Sequence, residues 1–96
     1  MAAKRMIAVK EFCTHHNLET DFIKQLQHHD LIEMVMVKRT GYIVEKNLPI
    51  AEKAARLHNE LNVNIEGIHA IFQLLSLVEK KEQEIIQLRR ELEFYK

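Results

Sequence analysis

The sequence predicts a mainly α fold: a helix-turn-helix, a small β-hairpin wing, and one long C-terminal coiled-coil helix. Three observations carry this. Two short amphipathic segments, 9–16 and 20–29, flank a tight turn at Asn17-Leu18. The apolar period then changes from helical to alternating over Leu31 to Val44. Last, a seam with spacings of three and four runs unbroken from Ile71 to Tyr95. The chain divides into a winged helix-turn-helix region, residues 1–62, and a long dimerisation helix, residues 63–96. The helix is expected to pack on the front region as one structural unit.

Each element has a local reason. Residues 1–6 read as a mobile tail or a short edge strand. Val9, Phe12 and Cys13 share one face of a first helix ending at His16. Thr20 is suited to cap the second helix, with Asp21 in its positive first turn. That helix buries Phe22, Ile23 and Leu26. Ile32, Met34, Met36 and Lys38 then alternate with Glu33, Val35 and Val37. Lys38-Arg39-Thr40-Gly41 supplies a turn before Tyr42-Ile43-Val44, and Gly41 is expected to take its positive φ. Met34 and Met36 share one strand face, where they pack under the hairpin or offer an adaptable protein-binding surface.

Asn47 is expected to cap the third helix, with Pro49 in its first turn, where the missing N–H is tolerated. Ile50, Ala54, Leu57 and Leu61 mark its buried face. Asn62 ends it in a left-handed cap. Asn64 caps the fourth helix, which meets no breaker after Gly67.

The fourth helix carries the seam Ile71, Leu74, Val78, Lys81, Ile85, Leu88, Leu92 and Tyr95. All but Lys81 are apolar or aromatic. The part after Glu79 projects roughly 25 Å at 1.5 Å per residue, beyond what the front region can cover. An isolated helix of that length is marginal in water. The seam therefore calls for a partner helix, most simply from a second copy. A parallel pair places Glu84 opposite Arg89, and an antiparallel pair brings Glu82 to Arg89. Both directions stay open. Lys81 helps to fix register at a cost in stability.

Composition excludes several classes. The 96 residues carry fourteen basic and fourteen acidic groups. Residues 1–50 hold seven and six of these, residues 51–96 seven and eight. Neither half is a basic module that electrostatics would steer onto a polyanion. A chain this short buries only roughly 60–65% of its unfolded surface, so its core is thin. Cys13 is the only cysteine, so it forms no internal disulfide, in keeping with a reducing cytoplasm. The apolar run Met6 to Val9 is too short for a signal-peptide core, and no stretch approaches a membrane span. The expected location is cytoplasmic.

No motif points to catalysis, a metal or a cofactor. His15-His16 and His28-His29 are adjacent pairs, whose members point about 100° apart on a helix and cannot share an ion. No C-x-x-C or H-x-x-x-H spacing exists. Cys13 has no orienting third group to make it a nucleophile. Gly41 and Gly67 are the only glycines, so there is no phosphate-binding glycine loop.

Several tracts together resemble a known family. Leu31-Ile32, the wing with Gly41-Tyr42, the third helix from Leu57 to Leu61 and the opening Ile65-Glu66-Gly67-Ile68 resemble the MerR-type winged helix-turn-helix. Glu11-Phe12-Cys13, Ala54-Ala55-Arg56-Leu57-His58-Asn59-Glu60-Leu61, Gly67-Ile68 and the charged tail resemble its chaperone-modulator branch, the CbpM family. That resemblance implies a homodimer that binds the J-domain of a DnaJ-like, CbpA-type co-chaperone. It implies inhibition of that protein's stimulation of the DnaK-type ATPase, and association with the nucleoid through the partner.

Departures from the DNA-binding MerR pattern point the same way. Lys24, Gln25 and His28 stand where those recognition helices carry Arg, Tyr and Arg. The wing reads Gly41-Tyr42-Ile43 and then Glu45, where theirs continues glycine, tyrosine, arginine. Fewer cationic anchors mean fewer phosphate contacts and a steep loss of affinity. Lys4, Arg5, Lys38 and Arg39 remain, so DNA binding is expected to be weak or absent.

Acids gather on and beside the helix-turn-helix instead: Glu11, Glu19, Asp21, Asp30 and Glu33. They serve helix capping and solubility, or they complement the basic helix that J-domains present. Glu79, Glu82 and Glu84 on the long helix form a rival docking surface. A MerR-type DNA-binding regulator is the second reading, and a bare dimerisation module the third.

Overall fold

The computed structural model describes residues 5–95. Its elements follow in chain order as β1 (Met6–Ala8), α1 (Val9–His16), α2 (Thr20–His28), β2 (Met34–Val37), β3 (Thr40–Val44), α3 (Leu48–Leu61) and α4 (Ile65–Phe94). The strands form one antiparallel sheet of order β1-β3-β2. Thus Met6–Ala8 is an edge strand of the wing sheet, with Ile7 opposite Ile43 and Ala8 opposite Tyr42. The earlier part of the expected tail, residues 1–4, lies outside the described residues. No described helix is long and apolar enough to cross a membrane.

The core lies where α2 meets everything else. Ile23 and Leu26 of α2, Ile43 of β3 and Ile68 of α4 are its fully buried large side chains. Val9, Phe12 and Cys13 join from α1, and Ala51 and Ala54 from α3. The mainly α fold and the inward faces of α1 and α2 agree with the sequence reading. The α3 face differs. Ala51, Ala54 and Ala55 are buried, Ile50 and Leu57 are half-buried, and Leu61 is 68% exposed. Small side chains let the α3 backbone approach the core closely, so the larger aliphatic stripe is displaced to the margin.

Helix ends are settled by backbone chemistry. Asn17, Asp30 and Asn62 follow α1, α2 and α3 with φ of 55°, 58° and 55°. After α2, Leu31 N–H donates to Leu26 O at 3.0 Å and Asp30 N–H to Gln27 O at 2.9 Å. This is the paired closure that satisfies orphan carbonyls. At the start of α4 the Asn64 side chain accepts from Gly67 N–H at 2.8 Å. A Cβ on Gly67 would lie 2.7 Å from a Val63 methyl, so the capping turn needs glycine for space.

Three local expectations need correction. Thr20 is already the first helical residue; Glu19 holds the cap position, extended and without a side-chain bond. Asn47 precedes α3 in αR geometry at the end of a 3₁₀ turn, Glu45–Asn47, and does not cap it with its side chain. Its Oδ1 instead accepts from Glu33 N–H at 2.9 Å, tying the strand approach to the helix start. Gly41 does not take the positive φ of the hairpin. Lys38 (φ 48°) and Arg39 (φ 67°) do, forming a two-residue connection between Val37 and its partner Thr40. Gly41 sits within β3, where a Cβ would come 3.0 Å from the Met34 methyl and 3.4 Å from Val9. Its missing side chain makes room for packing.

Two stability outcomes follow from these geometries. Left-handed backbone costs an L-residue roughly 1–2 kcal/mol, so Arg39→Gly should raise stability by about 1 kcal/mol in urea unfolding. Asn64→Ala removes the α4 cap and should lower it by about 1 kcal/mol in the same measurement.

Candidate functional site

Helix α2 turns Phe22, Ile23 and Leu26 inward and leaves Asp21, Lys24, Gln25 and His28 exposed. Lys24 is its only lysine or arginine. Gln25 Nε2 donates to Asp21 Oδ2 at 2.7 Å, one helical turn away. The bond orients the Asp21 carboxylate but brings no positive charge to it. Glu19 stands just before the helix with a side chain that makes no cap bond, close to the positive end of the helix dipole.

Glu66, in the first turn of α4, joins Glu19 and Asp21 around an open cleft of about 400 Å³. Leu18, Phe22 and Ile65 supply its apolar lining. His58 lies between, its ring 4.8 Å from that of Phe22 and its Nδ1 3.2 Å from Val63 O. A cleft with three carboxylates, an apolar lining and no lysine or arginine suits a cationic side chain with an aliphatic stem. Sequence reading missed Glu66. Its only local signal was a position just after the Asn64 cap, because the meeting of α2 with α4 is a tertiary event.

The other expected acids do not converge there. Glu11 borders a separate, wider cleft of about 740 Å³ with Lys10, His15 and Glu52. Asp30 occupies the left-handed closure of α2, a structural duty. Glu33 lies 3.7 Å from Lys46 Nζ, which offsets its charge. Glu79 and Glu82 are exposed on α4 and line no part of the α2 cleft.

Along α4, Ile71 is half-buried, and Leu74, Val78, Ile85, Leu88, Leu92 and Tyr95 are exposed. Lys81 is also exposed and bonds Glu84 on its own helix at 3.5 Å. The described residues thus carry an uncovered apolar face along most of α4.

The positions that hold DNA in the resembling regulators are now placed. Lys24, Gln25 and His28 do project outward from α2. Ile43 does not face outward at all. It is fully buried in the core, so its side chain is not available to a phosphate. Lys38 and Arg39 are exposed at the wing tip and take part in no ion pair among the described residues. Arg5 lies 3.9 Å from Glu45, and Lys4 lies outside the described residues.

Cys13 is buried in the core, and burial pushes its thiol pKa up. A thiolate is therefore disfavoured at Cys13. Among the described residues no three His, Cys, Asp or Glu side chains come together as a metal site would require.

Comparison with known proteins gives two matches. The family model described as MerR HTH family regulatory protein matches residues 7–90. The chaperone modulatory protein CbpM of Pseudomonas putida (strain W619) is 24% identical over 85 residues, spanning 88% of this chain and 84% of that protein. No solved structure matches the chain. Because the family match spans most of its length, from β1 well into α4, the chain belongs to the MerR family of helix-turn-helix regulatory proteins, within which it is CbpM-like.

Proposed function

We propose that this protein is a regulatory binding module without chemistry of its own, which docks on the J-domain of a DnaJ-like, CbpA-type co-chaperone in the cytoplasm and inhibits it. The observation that carries the reading is the α2 surface. Where a DNA-reading relative needs cations, this chain presents Glu19 and Asp21 beside Glu66. That surface repels phosphate and attracts a basic helix, and complementary charge speeds encounter with such a partner. Likeness to a protein named as a chaperone modulator supports the same direction. Inhibition by occlusion needs only affinity, so no cofactor or metal enters. The uncovered face of α4 supports a homodimer as the working unit.

A specific observation favours a second reading, a MerR-type DNA-binding regulator: Lys38 and Arg39 join no ion pair among the described residues at the wing tip. Two cations and Lys24 amount to few phosphate contacts, which places this reading second.

Calorimetric titration with the J-domain should show binding, and Glu19→Lys with Asp21→Lys should weaken it by about tenfold or more, as loss of complementary charge at a desolvated contact does. An unchanged affinity would remove the α2 cleft from the interface. Duplex DNA is expected to bind no tighter than the non-specific range of about 10⁻⁴–10⁻⁶ M at physiological salt. Salt-dependent, sub-micromolar binding in a gel-shift titration would favour the regulator instead.

A further inference from the structure

The wing sheet leaves β2 with an open edge. In the order β1-β3-β2, strand β2 pairs with β3 on one side only. Register decides where its backbone groups point. Lys38 and Arg39 form the loop, so Val37 and Thr40 close the ladder as a hydrogen-bonded pair, and bonded pairs recur at every second residue. Val35 therefore exchanges its bonds with Tyr42, while Met34 and Met36 turn their N–H and C=O groups away from β3. A bond to β1 agrees with this phase. Glu45 N–H donates to Arg5 O at 3.0 Å, which assigns the odd-numbered positions of β3 to β1 and leaves Thr40 and Tyr42 to β2.

An edge of this kind is usually blunted by a charge, a proline or a bulge. Residues 34–37 read Met-Val-Met-Val and pair with β3 in unbroken register, so β2 has none of these. Met36 is 63% exposed, and Val35 and Val37 are exposed on the opposite face. The other edge, β1, is three residues long and half-buried throughout. Open backbone and exposed apolar side chains thus coincide on β2.

Charge selects the occupant. At the hairpin end Lys38 and Arg39 are exposed and join no ion pair among the described residues. At the other end Glu33 lies 3.7 Å from Lys46. Acidic residues on an incoming strand are therefore drawn to the tip, and β-branched residues next to them lie against Val35, Met36 and Val37. Antiparallel addition gives the more stable ladder and puts those acids first in the peptide. Duplex DNA would use the two cations but neither the apolar side chains nor the outward backbone groups, so the edge favours a peptide.

We propose that β2 is a docking edge for an extended segment of a partner protein, in which acidic residues precede alternating β-branched residues and which adds antiparallel to the wing sheet. None of Met34 to Arg39 lines the α2 cleft, so this contact stands apart from the function proposed above.

The test uses the full chain, isotope-labelled for amide NMR, and the peptide acetyl-Asp-Glu-Val-Thr-Val-Thr-Val-amide. With the peptide at saturation, hydrogen exchange at the Met34 and Met36 amides should slow by about tenfold or more, while Val35 and Val37, already bonded to β3, change little. In this register the two threonines face Met36 and Met34. N-methylation of both should abolish binding, as should Met36→Pro, whose lost N–H lies outside the β3 ladder. The methyl groups sit on the peptide, so that comparison holds even where Met36→Pro disturbs folding. Lys38→Glu with Arg39→Glu should raise the dissociation constant about fivefold. A parent peptide that shifts no wing amide, or an N-methylated peptide that binds as tightly as the parent, would overturn the proposal. So would a wing that responds to duplex DNA and not to the peptide. Protection of Met34 and Met36 in the free chain that is lost on dilution would also overturn it, because the edge would then pair with a second copy.

Discussion

The contact of α2 with its neighbours is the constraint on which the molecule depends. Ile23 and Leu26 are completely enclosed, and what encloses them comes from a sheet, two further helices and the first turns of α4. Each fully buried aliphatic side chain is worth about 1.5–3 kcal/mol, a large fraction of the net stability of a small domain. Because the core is this thin, it admits no polar compromise: among the described residues no polar or charged residue is buried. The same economy explains the alanine face of α3 and the glycine under Met34. Both let backbone come close where side chains would hold it off.

With all charge outside the core, charge is left to act on partners. The three described ion pairs are exposed and 3.5–3.9 Å long, a class worth little to stability. Their effect is to sort the acids. Glu33 and Glu45 are offset by Lys46 and Arg5, and Asp30 is held by a helix closure. Glu19, Asp21 and Glu66 join no ion pair among the described residues and share one cleft. What distinguishes these three is thus their place in the tertiary structure, a shared cleft without lysine or arginine in its lining.

Periodicity made the helices and the hairpin legible in the sequence, because burial imposes it residue by residue. The left-handed cap at Asn62 was legible from its residue type, whereas at Asn17 the sequence showed only a turn. What escaped was set by partners distant along the chain. Gly41 carries the residue type of a turn, yet its neighbours are Met34 and Val9, and the turn falls on Lys38 and Arg39 instead. Asn47 has a capping side chain, but Glu33 N–H claims it. Ile43 looked like a lost DNA contact until the sheet placed it inside the core. Of the candidate site, Glu19 and Asp21 were readable as neighbours, whereas Glu66 joins them only because α4 docks beside α2.

The long helix extends well past the core. At 1.5 Å per residue α4 spans about 45 Å, and only its first turns touch the core. Propensity alone does not hold a helix of this kind firmly in water, so its persistence requires cover along the apolar face. A cover provided by a second copy, as proposed above, would also place two front domains in one assembly, each with its own α2 cleft. Two identical acidic clefts joined in this way would form a bivalent surface. A second engagement on such a surface proceeds at a raised effective concentration when the partner is itself multivalent. Under the function proposed above, the seam would bear on binding as well as on folding: pairing would decide whether the weak attraction of a few carboxylates is used once or twice.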